Sequence, residues 1–215
     1  MNSISHSNRY LPHENLTRFH AVKLYHTGVG VSFVCRRYHT PDKIGIKWQM
    51  DVKYVPSACY TGQVPQKFYQ YTVIDEASRE RFIYPYMEQS SFSTVDFLKR
   101  AIAHFGYRPC ILQTDNGAEF THITKTDRIH PLDKLCQELN IEHKKIRPRT
   151  PRHNGKVERS HRNDQERFYN FLKFYSYEDL TVQMKRYCRR SNHIPMQVLN
   201  WLSPLQKRKA LEQCS

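Results

Sequence analysis

The sequence predicts a mixed α/β domain: three antiparallel strands, then helix, strand, helix, strand and further helices. Three observations predict it. Ile46, Trp48, Met50, Val52 and Tyr54 alternate with Lys47, Gln49, Asp51 and Lys53, the clearest strand pattern in the chain, and two more strand patterns follow closely. Beyond them, apolar residues recur at helical spacing in segments separated by two short strand patterns. The chain's 215 residues suffice for one full domain and a small appendage, and 39% hydrophobic with 25% charged residues excludes disordered, collagenous and low-complexity classes.

At the front, residues 1–12 are polar. Leu16, Phe19, Val22 and Tyr25 follow helical spacing, His26-Thr27-Gly28 supplies a stop, and Ser32 to Tyr38 reads as a second short helix, so the pair carries a helix-turn-helix signal. Thr40-Pro41-Asp42 breaks the chain before the first strand, whose polar face holds Asp51. After a turn-rich stretch from Pro56 to Pro65 come strands at Phe68 to Ile74 and Phe82 to Tyr86, joined by a turn at Asp75 to Arg79. Ser93 is placed to cap a helix carrying Val95, Leu98, Ala101, Ile102 and Phe105, closed by Gly106.

Ile111 to Thr114 is an apolar run of the buried-strand type, ending at Asp115. Leu132 to Leu139 then reads as a helix, Glu142 to Ile146 as a fifth strand, and Pro148 to Gly155 as a basic loop. A helix from about Gly155 to Lys173 sets Val157, His161, Phe168 and Leu172 on one stripe. Tyr177, Leu180, Met184, Tyr187 and Cys188 mark another, with Glu178 and Asp179 in its first turn and Arg189 and Arg190 in its last.

Charge narrows the function. Thirty-four Lys and Arg against twenty Asp and Glu leave +14, so a polyanion is the expected partner. Between Glu142 and Arg162 stand Lys144, Lys145, Arg147, Arg149, Arg152, Lys156, Arg159 and Arg162 against two acids, a concentration that reads as a phosphate-binding stripe. No apolar run approaches the ~18 residues needed to cross a bilayer, and Met1 to Arg9 lacks the apolar core of a signal peptide. The expected location is the cytoplasm, in association with the nucleoid. The six cysteines form no C-x-x-C pair, which argues against zinc fingers and disulfide scaffolds, and the histidines have no cysteine pair at ligand spacing.

Three acids stand out by position: Asp51 mid-strand, Asp115 at the end of a buried strand, and Glu158 near the start of a helix behind the basic loop. Converging carboxylates on a basic protein call for a divalent cation, and hard oxygen ligands select Mg²⁺ or Mn²⁺. Two such ions suit an in-line phosphoryl displacement. From spacing alone the three also fit ordinary surface acids, since Asp-Asn-Gly is a common turn sequence.

Trp48-Gln49-Met50-Asp51-Val52-Lys53, Thr114-Asp115-Asn116-Gly117 followed by Glu119-Phe120, and His153-Asn154-Gly155-Lys156-Val157-Glu158-Arg159 resemble the signature blocks of the DDE transposases of bacterial insertion sequences. These are similar to retroviral integrases and share their ribonuclease-H-like catalytic core. The resemblance covers roughly residues 44–210. It implies a ribonuclease-H-like mixed sheet flanked by helices, with Asp51, Asp115 and Glu158 as catalytic residues holding two Mg²⁺ or Mn²⁺ ions. It implies cleavage of double-stranded DNA at transposon ends with water as nucleophile, then attack of the freed 3′-hydroxyl on target DNA, by a homo-oligomer assembled on DNA. Asn116, Gly117, Asn154 and Gly155 would support the site. Lys156 and Arg159 would contact phosphate, though both also fit solvated helix charges.

The implied organisation is a partial helix-turn-helix-like segment with linker at 1–43, an integrase-type core at 44–192 and a tail with a short helix at 193–215. The interval from Asp115 to Glu158 is longer than usual in the family, and Thr121 to Pro131 is the segment that takes up the excess. Only about seven residues, His39 to Gly45, separate Tyr38 from the first strand, leaving no room for a recognition helix. Two other readings stay open: a metal-dependent nuclease on the same fold, and a catalytically idle DNA-binding relic of a mobile element.

Overall fold

The computed structural model describes residues 43–122, 126–146 and 155–213, with Lys23, Pro41 and residues 26–28 besides. The two helices expected at the front lie outside the described residues apart from Lys23 and His26, as do Arg147, Arg149, Arg152 and Asn154. The chain divides into two compact units, Met1–Pro41 and Asp42–Ser215, and the sheet with its helices belongs to the second.

Strand β1 (Lys47–Tyr54) takes the centre of a five-stranded sheet of order β3-β2-β1-β4-β5. On one side β2 (Tyr69–Asp75) pairs antiparallel with it, setting Asp51 opposite Thr72, and β3 (Arg81–Tyr86) continues the meander. On the other side β4 (Ile111–Thr114) and β5 (Glu142–Lys145) run parallel. Parallel neighbours need crossovers. Helix α1 (Ser91–Phe105) precedes β4, and helix α2 (Pro131–Glu138) joins β4 to β5. The mixed sheet of three antiparallel and two further strands is the one the sequence predicts.

Both faces of the sheet are covered. Trp48, Met50, Tyr71, Val73 and Leu112 pack on Phe97, Leu98, Ala101 and Phe105 of α1 and on Leu132, Leu135 and Cys136 of α2. A second core joins Val55, Phe68 and Ile83 to Phe168, Tyr169, Leu180, Met184 and Tyr187. These five belong to the continuation of helix α3 (Gly155–Asp164) and to helix α4 (Tyr177–Asn192). This second layer corrects a simple reading of β1, because Gln49 on its polar side is buried rather than solvated.

Two boundaries differ from expectation. Helix α1 is capped by Ser90, whose extended backbone lets its Oγ accept the Ser93 N–H at 3.1 Å; Ser93 itself is buried inside the first turn. At the other end Gly106, at φ 75°, supplies the left-handed residue that closes the helix. The long helix expected from Gly155 to Lys173 stops being α-helical after Asp164 and widens into a π turn over Gln165–Tyr169. There the adjacent Phe168 and Tyr169 both enter the core, with Phe168 stacked on Tyr187 at 4.4 Å. A last helix, α5 (Pro204–Gln213), docks on the core through Arg208, which donates to Glu80 at 3.0 Å and to the Phe105 carbonyl at 2.7 Å. Among the described residues no helix is long and apolar enough to cross a membrane.

One polar cluster ties these layers together. Arg81 of β3 donates through Nη1 to Asp164 at the end of α3 at 2.6 Å, with both side chains almost fully buried. The Asp164 carboxylate also accepts from Tyr187 at 2.9 Å and from Gln70 at 2.7 Å, and Arg81 Nε donates to Ser191 at 3.0 Å. Removing one partner strands a buried charge, which costs about 3–5 kcal/mol. Asp164→Ala is therefore expected to lower unfolding stability by that amount in urea titrations, and the double variant Arg81→Met/Asp164→Leu to lose less. A loss under about 1 kcal/mol for Asp164→Ala, the range of an exposed pair, would contradict the assignment.

Candidate active site

Lys47 lies beside Ile111 and Gln49 beside Gln113 in the parallel ladder of β1 and β4. The ladder ends there; Asp51 lies further along β1, and Asp115 is the first residue after β4. Asp115 leaves β4 in a turn held by the Gly117 N–H, which donates to its Oδ1 at 3.0 Å. Asn116 Nδ2 donates to the Ile146 carbonyl at 2.8 Å and so pins that turn to the end of β5. A Cβ at Gly117 would lie 2.5 Å from the Glu119 carboxylate and would require that side chain to shift. Behind the strand end, Thr114 Oγ1 contacts His143 Nε2 at 2.9 Å, and His143 Nδ1 meets Asp133 at 2.5 Å.

Glu158 arrives on the exposed first turn of α3. The start of that helix is capped from β1: Gln49 Oε1 accepts the backbone N–H of Lys156 at 3.2 Å and of Val157 at 3.4 Å. Gln49 Nε2 in turn donates to the buried Glu76, which also pairs with Lys156 at 2.6 Å and Lys47 at 3.2 Å. Burial alone would raise the Glu76 carboxyl, but the charges and hydrogen bonds of Lys156, Lys47 and Gln49 outweigh it and hold the group below the usual carboxylate range. Burial, with Arg79 nearby, brings the Lys156 ammonium down to about 8 against the pull of Glu76. Lys156 thus anchors α3 to the sheet. Arg159 and Arg162 on α3 are exposed, as are Lys144 and Lys145 on β5, where they pair with Glu142 and Asp133 at 3.2 Å each.

The electrostatics identify where these elements converge. Burial pushes the Asp51 carboxyl up to about 7, helped by the charge of Asp115 and, less strongly, of Glu158 and Glu119, and opposed by the Val52 N–H that donates to its Oδ1 at 2.8 Å. All three acids singled out from the sequence therefore bear on one another. Glu119 is a fourth, buried and held by Gln89 Nε2 at 2.6 Å. His161 places Nδ1 3.6 Å from Asp51 Oδ2, but burial pushes its imidazole down to about 4, so it brings no positive charge to the carboxylates. Lys53 donates to the His161 carbonyl and to Gln165, each at 3.1 Å, and so braces α3 at that level.

Among the described residues no group of three His, Cys, Asp or Glu side chains is gathered closely enough to hold a metal ion. The donor set nevertheless suits a hard divalent cation. It consists of anionic oxygens whose repulsion adds to burial in holding Asp51 near neutrality, and Mg²⁺ or Mn²⁺ is the partner such oxygens select. Asp51 stands on the sheet and Asp115 in the turn that leaves it, while Glu158 is exposed on the first turn of α3. Sequence reasoning did not single out Gln49, Glu76, Glu119 or His161 for the site. Glu119 stands within the Asp115 block and His161 three residues after Glu158, the spacing that puts both on one side of a helix. Gln49 stands within the Asp51 block, and nothing in the sequence marks Glu76.

Residues 41–151, just over half of the chain, match a family model described as an integrase core domain, and residues 139–204 match a second model of the same description. An ORF3 product of Spiroplasma virus SpV1-C74, described as an integrase, is 35% identical over 125 residues, covering 54% of this chain. This chain spans only about a third of that relative's length, 34%. Among solved structures, the HTLV-2 integrase catalytic core domain in complex with magnesium aligns over 77% of this chain and 97% of its own, at 19% identity and a TM-score of 0.57. The catalytic core domain of BIV integrase covers 79% and 97% at 18% identity and 0.57. A chain of the simian T-cell lymphotropic virus intasome, solved with the PP2A regulatory subunit B56 gamma, aligns over 91% of this chain and 73% of its own, at 18% identity and 0.60. At these identities the structures establish the fold, that of retroviral integrase cores.

The raised Asp51 carboxyl has a consequence for stability. Its folded value of about 7 lies above the ordinary 3.8, so between those limits the folded protein binds more protons at this group than the unfolded chain does. Stability contributed by Asp51 therefore falls as pH rises through that window and is lowest above it. In EDTA at pH 8, Asp51→Asn is expected to be more resistant to urea than wild type, by of order 1 kcal/mol or more, and at pH 4 the two should coincide. Equal stability at pH 8 would refute the crowding of charge at Asp51.

Proposed function

The chain belongs to the integrase core domain family, and on that premise we propose that it is a DNA transposase of the insertion-sequence type, cutting DNA strands and joining a freed 3′-hydroxyl to target DNA. The observation that carries this reading is the placement of Asp51 on β1, Asp115 in the turn after the neighbouring β4, and Glu158 on the first turn of the helix that Gln49 of β1 caps, near enough for the last two to raise the Asp51 carboxyl. Asp51, Asp115 and Glu158 would hold two Mg²⁺ or Mn²⁺ ions. The chemistry such a pair supplies is activation of the attacking oxygen and stabilisation of the leaving oxygen in an in-line displacement.

The chain's own residues supply geometry. Asp51 stands on β1, and the turn shaped by Asn116 and Gly117 keeps Asp115 at the end of the neighbouring β4. Gln49 and the Lys156–Glu76 pair seat the helix that carries Glu158. The attacking oxygen comes from water and then from a DNA end, so no side chain acts as nucleophile and no covalent enzyme intermediate forms. Arg159, Arg162, Lys144 and Lys145 are exposed and suited to phosphate, and Arg147, Arg149 and Arg152 are proposed to extend the same stripe. Lys156 pairs with Glu76 and seats α3, and it is proposed, with Arg159, to contact phosphate as well. Gly155 opens α3, and Asn154 and Gly155 are proposed to support the site.

The same reading takes double-stranded DNA, as transposon ends and target, for the partner, a homo-oligomer on DNA for the working form, and a nucleoid-associated cytoplasmic location. It keeps residues 1–43 as a partial DNA-binding segment, 44–192 as the catalytic core and 193–215 as a tail. The test is an assay on end-labelled duplex DNA with Mg²⁺ or Mn²⁺, scoring both shortened products and longer strand-transfer products. Wild type is expected to give both, and Asp51→Asn, Asp115→Asn and Glu158→Gln each to abolish both while remaining folded. Shortened products alone would support a nuclease. A wild-type protein inactive with either ion would support an idle relic, and a triad variant cutting at wild-type rate would remove that residue from the site.

A further inference from the structure

A chain of hydrogen bonds runs from the Arg81–Asp164 pair through Gln70 and Thr72 to His161, whose other ring nitrogen lies 3.6 Å from Asp51. Gln70, fully buried, presents Nε2 to two oxygens: Asp164 Oδ2 at 2.7 Å and Thr72 Oγ1 at 2.9 Å. Its Oε1 faces the hydroxyl of Tyr169. A flipped amide would set its oxygen against the Asp164 carboxylate, so the nitrogen must face Asp164, and each of its two hydrogens then has one acceptor. Thr72 Oγ1 therefore accepts from Gln70. Its own proton must go elsewhere, and the partner within reach is His161 Nε2 at 3.1 Å. Thr72 is fully buried, so a hydroxyl proton without an acceptor would be costly.

If Nε2 accepts, it carries no proton, and the ring proton resides on Nδ1, the atom 3.6 Å from Asp51 Oδ2. That separation is longer than a hydrogen bond, and it puts the protonated ring nitrogen, rather than the bare one, beside the carboxylate. The other oxygen, Oδ1, is already held by the Val52 N–H at 2.8 Å. We propose that Gln70 and Thr72 set the tautomer of His161, which presents Nδ1–H to Asp51 and is a positioning residue for that carboxylate. Groups of this kind behind a metal-binding side chain fix its orientation. The positioning role rests on the proposed function of Asp51, whereas the tautomer follows from hydrogen bonding alone.

The experiment is two-bond ¹H–¹⁵N correlation NMR on the metal-free full chain, with the His161 signals assigned by their loss in His161→Asn. Wild type is expected to show a protonated Nδ1 and a bare Nε2. Thr72→Val, which keeps the shape and removes the hydroxyl, should disturb that pattern, and Thr72→Ser should restore it. A ring protonated at Nε2 in wild type, or a pattern unchanged in Thr72→Val, would overturn the relay. Electron paramagnetic resonance of free Mn²⁺ then reads affinity: Thr72→Val should bind the ion about tenfold more weakly, with Thr72→Ser close to wild type. Mn²⁺ binding unchanged in Thr72→Val would strip His161 of its positioning role. If wild type itself bound no Mn²⁺, the reading of Asp51 as a ligand would fail, and the tautomer pattern would still decide the relay.

Discussion

Arg81 and Asp164 meet at 2.6 Å where almost no solvent reaches, and a charge in such a place holds only while its partner stays. Asp164 ends α3 and Arg81 opens β3, so the pair fixes the C-terminal end of the helix to the sheet. Gln49 fixes the other end by capping Lys156 and Val157 from β1. Glu158 lies between these two attachments, and the side of the sheet beneath it carries Asp51. The placement of Glu158 over the sheet thus depends on contacts made by other residues of α3. Gln70 and Thr72 extend the same buried network until it faces Asp51 through His161.

Such a site is a local concession of stability. Four carboxylates, Asp51, Asp115, Glu119 and Glu158, are gathered closely enough to disturb the first of them, and the nearest imidazole is kept neutral. In a chain of net charge +14 these acids are not short of basic residues elsewhere. The nearest lysine at the head of α3, Lys156, is instead drawn to Glu76, and Arg159 and Arg162 face solvent. Separating the charges in this way leaves acidic side chains about Asp51 and exposed basic side chains on α3 and β5, the two surroundings that the proposed phosphoryl transfer on DNA requires.

Much of this was legible because it is local or periodic. The alternation at Ile46 to Tyr54 marked the central strand, the apolar run at Ile111 to Thr114 marked its parallel neighbour, and Asp115 was visible as the residue where that run ends. The burial of Gln49 was not, since a face that alternates polar residues looks solvated until a helix is known to cover it. Glu76 and Lys156 are 80 positions apart, and no local pattern announces their pairing. The cap of α1 was misplaced by three residues because Ser90, Ser91 and Ser93 are chemically alike, and only backbone conformation selects Ser90. The π turn follows from a tertiary demand, the burial of both Phe168 and Tyr169, that overrides the helical period.

The central claim is that Asp51, Asp115 and Glu158 form one cation site assembled by the packing of α3 on the sheet. Crystals soaked in Mn²⁺ and measured at the manganese absorption edge test it most directly. Anomalous density is expected in contact with the carboxylates of both Asp51 and Asp115, with Glu158 turned toward it. Density confined to other carboxylates, such as Asp133 beside His143, or none near Asp51, would contradict it.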